Sequence, residues 1–254
     1  MPSVPAAPTA PVIGHRGAAG LAPENTAASF RTAARLGVRW VECDAQLTAD
    51  GLAVVIHDDT LDRTTDGSGP VRTATLAAIR RLDAGSWSSP AFRGEKVPTL
   101  REVLDLTAAL GLSLNLELKL AERAGPAEED ALAAACLAEL ASGPRPPRLL
   151  VSSFRREALA RCAERAPDLP RAFLAADGDA EAVRVAVALG CRALNVAAGA
   201  VDRHLVRRAH AAGLAVLAYT VDDPERFRLL RSLGVAAVFS DHPERLTTPP
   251  GPHR

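Results

Sequence analysis

The sharpest pattern in the chain is Leu114-Asn115-Leu116-Glu117-Leu118-Lys119-Leu120, where every even position is leucine and every odd one polar. Strict period-two alternation predicts a strand. Shorter apolar runs at Pro11 to Gly17, Trp40 to Leu47, Leu149 to Ser152, Arg171 to Leu174, Ala193 to Val196, Leu214 to Tyr219 and Ala236 to Ser240 read as further strands. Between them lie segments with helical composition: Ala27 to Leu36, Thr99 to Gly111, Glu128 to Ala141, Arg155 to Arg165, Asp179 to Leu189, Asp202 to Ala212 and Pro224 to Leu233. Thr99-Leu100-Arg101-Glu102 reads as a capping box, and Gly190, Gly213 and Gly234 stand where helices should stop. Eight strands alternating with helices predict an α/β fold of the (β/α)8 TIM-barrel type, with a doubly wound open sheet as the alternative.

The alternation breaks once. After Leu52 to Ile56, a strand-like run that follows the turn Asp50-Gly51, about forty residues from Asp59 to Pro98 carry only a short helical pattern at Thr75 to Asp83. Irregular segments of this length in compact domains are usually lids or binding insertions. The expected organisation is a disordered Pro/Ala-rich tail over residues 1–10 and a single domain over 11–248, with a small insertion at 59–98 after strand two.

A barrel changes the meaning of the polar row in Leu114 to Leu120. A strand packed under helices has no solvent face, so Asn115, Glu117 and Lys119 should point into the barrel or its mouth. An exposed edge strand is the other reading. On strand two, Glu42 and Asp44 share one face about 6.6 Å apart along the backbone, with Cys43 on the other. Carboxylates meeting on a buried face repel and lose solvation, so a proton, a basic side chain or a hard cation must offset them. Glu42, Asp44 and Glu117 together offer the oxygen-rich coordination that suits Mg2+ or Ca2+ rather than zinc. Neutralisation by Arg16 and Lys119 without a metal is the competing account.

His15 and His57 each end an apolar strand at the predicted mouth, where imidazole suits general acid and base work. His204, His210, His242 and His253 read as structural or surface residues. Arg16 and Lys119 add fixed positive charge, which favours an anionic substrate such as a phosphate. Gly14 to Gly20 is glycine-rich but fits no dinucleotide or P-loop pattern, Asp62 and Asp66 are better read as a solvated turn than a calcium loop, and Ser152-Ser153 lack a nucleophile-elbow context.

Composition narrows the partners. Thirty basic residues balance thirty acidic ones in 254, so no bulk field favours nucleic acid or an anionic membrane. Cys43, Cys136, Cys162 and Cys191 are scattered without paired spacing and read as reduced core thiols. The N-terminal segment lacks the charged and apolar regions of a signal peptide, and no apolar stretch approaches the ~18 residues of a membrane span. The expectation is a cytoplasmic protein with no stable membrane association.

Six motifs in order, Gly14-His15-Arg16-Gly17, Pro23-Glu24-Asn25-Thr26, Glu42-Cys43-Asp44, His57-Asp58 with Leu61-Asp62-Arg63-Thr64-Thr65, Leu116-Glu117-Leu118-Lys119 and Ser240-Asp241-His242-Pro243, resemble the glycerophosphodiester phosphodiesterases. The resemblance runs from about Val12 to Leu246. It implies a hydrolase that converts glycerophosphodiesters such as glycerophosphocholine and glycerophosphoethanolamine to sn-glycerol 3-phosphate and an alcohol. It also implies one divalent cation, Mg2+ or Ca2+, on Glu42, Asp44 and Glu117, an acid/base pair in His15 and His57, and phosphate contacts from Arg16 and Lys119. Tyr219 stands where the family commonly has Trp, and Ser240 where it commonly has Thr. The first departure bears on the fit of the glycerol or alcohol group, which makes Tyr219 a candidate substrate residue. Two rivals remain: a lysophospholipase D-like phosphodiesterase acting on lipids, and a non-catalytic phosphodiester-binding module.

Overall fold

The computed structural model describes residues 10–247. The tail expected to be disordered lies outside these residues except for Ala10, as do His253 and the expected domain end at 248. Eight parallel strands close into a barrel: β1 (Val12–Gly14), β2 (Trp40–Leu47), β4 (Ser113–Leu118), β5 (Leu149–Ser153), β6 (Arg171–Ala175), β7 (Ala193–Ala197), β8 (Ala215–Tyr219) and β9 (Ala237–Ser240). Closure comes from β1, which pairs with β2 on one side and β9 on the other. The remaining strand, β3 (Ala53–Val55), runs antiparallel to the far end of β2. The expected first strand is shorter than read, because the chain turns after Gly14 and leaves His15 and Arg16 on the loop.

The helices follow the strands as expected: α1 (Ala27–Arg35), α3 (Leu100–Ala109), α4 (Pro126–Ser142), α5 (Arg156–Arg165), α6 (Ala180–Ala188), α7 (Arg203–Ala211) and α8 (Pro224–Leu233). The capping box forms at Thr99 and Glu102. Aspartates cap α6, α7 and α8, each side chain accepting from the first-turn N–H groups left free at a helix start. Gly234 ends α8 with φ of 101°, a conformation that glycine adopts without a Cβ penalty.

Two apolar layers follow from strand periodicity. The leucines of β4 face outward, where Leu114, Leu116 and Leu118 pack with Val41, Cys43 and the helix faces. Inside, Ile13, Trp40, Leu150, Ala193, Leu217 and Phe239 belong to a smaller cluster that plugs the barrel. All six residues of β4 are buried, so the polar row is interior and the edge-strand reading is excluded. The four cysteines are buried and free.

The insertion is more ordered than the sequence suggests. It holds a short α-helix, α2 (Leu76–Ile79), and 3-10 turns at Val71–Thr73 and Pro90–Phe92, and it packs Leu61, Val71, Ile79 and Val97 against Val54 and Ile56 in a small apolar cluster. Bridges from Val54 to Thr99 and from Thr60 to Pro70 tie it together. Its apolar residues follow turns rather than a regular period, which hid this small core from the sequence.

The outward layer carries much of the stability. Leu116 is fully buried, and Leu116→Ala should cost about 2–5 kcal/mol through lost burial and a residual cavity. Urea unfolding monitored by circular dichroism checks this; a midpoint equal to wild type would contradict the placement.

Candidate active site

The C-terminal ends of the strands surround a cavity of about 160 Å³. His15, Arg16, Glu42, Asp44, His57, Glu117, Lys119 and Tyr219 all line it, so the barrel brings every candidate site residue to one place.

Register explains the carboxylates. Glu42 pairs with Asn115, and Asp44 with Glu117, across the parallel β2–β4 ladder, so all four point inward at successive levels. Glu42, Asp44 and Glu117 offer oxygens that all lie within 4.8 Å of one another. At an effective dielectric of about 20, two unit charges 4.8 Å apart repel by roughly 3–4 kcal/mol. Burial, with Asp44 and Glu117 beside it, pushes the Glu42 carboxyl well above the usual range. Burial and Asp44 raise Glu117 to about 7, against the opposing pull of Lys119. Asp44 goes the other way. Burial works against its charge, but Arg16, His57, Lys119 and the Asn25 amide together hold it below the usual value.

The cations do not satisfy the whole cluster. Lys119 Nζ lies 3.3 Å from Glu117 Oε1 and 4.0 Å from Asp44 Oδ1, and Arg16 Nε lies 3.5 Å from Asp44 Oδ2. Glu42 Oε1 is buried without a hydrogen bond, and Glu117 Oε1 has no partner among the described residues besides the Lys119 ammonium. An all-oxygen donor set in which Glu42 Oε1 has no partner and Glu117 Oε1 has only the Lys119 ammonium at 3.3 Å fits a hard divalent cation.

Hydrogen bonds orient both imidazoles. His15 Nδ1 lies 2.7 Å from Asp241 Oδ1, and its Nε2 faces Glu42 at 4.0 Å. Asp241 is held in turn from the Asp222 carboxylate, which accepts from the Asp241 and His242 amides and from Ser240 Oγ. His57 Nδ1 lies 2.7 Å from Asp58 Oδ1, and Lys119 Nζ lies 2.9 Å from His57 Nε2. An ammonium can only donate, so Nε2 accepts and the Nδ1 proton goes to Asp58. Burial, with Arg16 and Lys119 nearby, pushes His57 below its usual value despite the pull of Asp44 and Asp58.

A second tier of residues was legible only as helix start and motif. Glu24 accepts from Arg16 at 2.7 Å, and Asn25 Nδ2 donates to Asp44 Oδ2 at 2.9 Å. Arg63, from the insertion, forks onto Glu24 and Asp58 at once, at 2.6–2.8 Å. Arg16 and Asn25 both adopt left-handed backbone, with φ of 49° and 58°. That conformation is costly for Arg and is held here by the Arg16 N–H donating to Glu42 Oε2 at 2.8 Å. Tyr219 stands against Phe154 edge-on at 6.0 Å and donates its hydroxyl to the Ala175 carbonyl. His204 and His210 are exposed, and His242 packs against Gly20 and Glu244.

A closed barrel with acidic, basic and imidazole groups gathered at the C-terminal mouth has the architecture of a (β/α)8-barrel hydrolase. Residues 15–245 match the Glycerophosphoryl diester phosphodiesterase family. The chain is 34% identical over 247 residues to the glycerophosphodiester phosphodiesterase of Bacillus subtilis strain 168, covering 91% of this chain and 83% of that one. It is 35% identical over 235 residues to that of Caldanaerobacter subterraneus subsp. tengcongensis, covering 92% and 95%. A phosphodiesterase of Oleispira antarctica, solved in complex with the product sn-glycerol-3-phosphate, superimposes with a TM-score of 0.89 at 37% identity, over 94% of this chain and 95% of that one. Fold and site thus define a barrel phosphodiesterase. The chain belongs to the glycerophosphodiester phosphodiesterase family.

The raised carboxyls link stability to pH. Glu117 titrates at about 7 when folded against an ordinary 4.5, so the folded state binds the extra proton between these values. Stability therefore falls as pH rises through that window. Chelated protein should melt at a lower temperature near pH ~8 than near pH ~5, and a divalent cation should restore most of the loss. Glu117→Gln should flatten the dependence. Differential scanning fluorimetry across pH, with and without EDTA, reads both effects; a cation-independent melting temperature at pH ~8 would refute the metal site.

Proposed function

We propose that this protein hydrolyses water-soluble glycerophosphodiesters, such as glycerophosphocholine and glycerophosphoethanolamine, to sn-glycerol 3-phosphate and the free alcohol. The observation that carries this reading is the cluster of Glu42, Asp44 and Glu117, with Glu42 Oε1 buried and unpartnered, lining one cavity with two oriented imidazoles and two cationic side chains. Glu42, Asp44 and Glu117 would hold one divalent cation, Mg2+ or Ca2+. When bound, it would supply Lewis-acid stabilisation of charge on the phosphoryl oxygens.

Arg16 and Lys119 bind the diester's anionic phosphate and align it between the histidines. Phosphate drawing Lys119 away from His57 Nε2 leaves that nitrogen free to accept a proton. His57 then removes the proton of the attacking hydroxyl as the new P–O bond forms. On the other side His15, whose Nδ1 is held by Asp241, donates the Nε2 proton to the departing alkoxide as the old P–O bond breaks. Phe154 and Tyr219 form an apolar wall of the cavity. Among the described residues no helix is long and apolar enough to cross a membrane.

The decisive assay is release of sn-glycerol 3-phosphate from glycerophosphocholine by purified protein, after EDTA treatment and then with Mg2+, Mn2+ or Ca2+ restored separately. Activity should vanish with chelation and return with at least one ion. His15→Ala and His57→Ala should each lower kcat roughly 10²–10⁴-fold with an unchanged melting temperature. Product under no ion, alongside turnover of a lysophospholipid, would move the assignment to the lipid-directed rival.

A further inference from the structure

The candidate catalytic groups occupy only one side of the cavity. His15, Arg16, Glu42, Asp44, His57, Glu117 and Lys119 come from β1, β2, β3, β4 and the turns that follow them. The other side is built from β5 to β9 and carries no charged side chain among its lining residues Phe154, Leu174, Asn195, Tyr219, Thr220 and Phe239. Within that neutral half one group stands out. Asn195 on β7 is fully buried, yet neither its Nδ2 nor its Oδ1 has a hydrogen-bond partner among the described residues.

A buried carboxamide with both ends unpaired opposes folding, and native interiors rarely keep one without a use. Its position explains the use. β7 lies four strands from β2 in either direction around the barrel, so Asn195 stands across the cavity from Glu42 and Asp44. On β7, Leu194 and Val196 face the helices, which turns Asn195 inward, in register with Leu217 of the plug on one side and Leu174 on the other. A diester whose phosphate sits at the carboxylates therefore extends one ester arm toward this carboxamide. An amide offers a donor and an acceptor side by side, which matches a neutral, hydroxylated arm and offers nothing to balance a charged head group.

We infer that Asn195 forms a hydroxyl-recognising subsite at the closed end of the cavity, and that it reads the glycerol arm of the substrate. The inference rests on the glycerophosphodiester reading and adds the side chain that selects for glycerol. The other arm faces the rim at Phe154, which is 42% exposed. The head group is thus left largely in solvent, and the site measures glycerol rather than the alcohol it releases.

The test compares sn-glycerol 3-phosphate with n-propyl phosphate, which has the same chain length and charge but no hydroxyls. Binding of each to the full-length protein, with the activating divalent cation present, is read by isothermal titration calorimetry. Wild type should prefer sn-glycerol 3-phosphate by at least about tenfold, since a site built to bind a hydroxyl rejects the analogue that lacks it. Asn195→Leu keeps the side chain's volume among Leu174 and Leu217 and removes both polar atoms. It should abolish the preference, leave n-propyl phosphate binding within about threefold of wild type, and melt at the same or a higher temperature. Asn195→Ala serves as a second variant with the same expectation for the preference.

A preference retained in both variants overturns the subsite. So does a wild type that binds the two phosphates equally, or a variant that loses both together with a lowered melting temperature, since that marks a role in supporting the fold. Wild-type discrimination without turnover of glycerophosphocholine would defeat the proposed reaction while leaving the subsite standing; turnover without discrimination would do the reverse.

Discussion

The mutual repulsion of Glu42, Asp44 and Glu117 is the constraint around which the rest of this site is arranged. Parallel register forces it: once β2 and β4 pair as they do, their inward carboxyls stand side by side beneath water's easy reach. Each surrounding feature then has a reason. Arg16 accepts an unfavourable backbone so that its amide reaches Glu42 while its guanidinium approaches Asp44. Asn25 accepts the same kind of backbone and donates to Asp44. Lys119, just past the end of β4, sits among Glu117, Asp44 and His57. These contacts lower the cost of the cluster without removing it, and the residual imbalance suits the cluster to a hard cation.

Most of the barrel could be read from the chain because its information is local. The alternation of Leu114 to Leu120 needs only its own period to declare a strand, and helical covering turns its polar row inward. His15, His57 and the three acids were visible because each is a chemistry-bearing residue at the end of, or inside, an apolar run. What escaped depends on contacts between distant segments. Nothing near Asp241 marks it as the partner of His15, 226 residues away. Glu24, Asn25 and Arg63 are legible as members of motifs, but the contacts they make show only when the first loop and the insertion meet. Asn195 sits in an unremarkable strand, and only closure of the barrel shows that its amide is unpaired.

The insertion is more than an ornament on the rim. Through Arg63 it holds Glu24, which holds Arg16, and Asp58, which holds His57. A single guanidinium therefore reaches, through one carboxylate each, both the Arg16 side chain and the His57 imidazole. Its small apolar cluster gives that guanidinium a firm base, with the Trp87 ring 6.0 Å beneath it. Rigidity at the mouth is thus borrowed from a second, minor core rather than from the barrel wall.

Pairing between the first and last strands has a temporal meaning as well as a spatial one. β1 hydrogen-bonds β9, and His15 takes its orientation from Asp241 at the far end of the sequence. On a ribosome the carboxylates of β2 and β4 emerge early, while the imidazole that faces them stays unanchored until nearly the whole domain has been made. A nascent chain can thus carry the acidic cluster before the His15 imidazole is oriented beside it. The site is assembled only as the ring shuts, so its geometry is a late product of folding and not a property of its own strands.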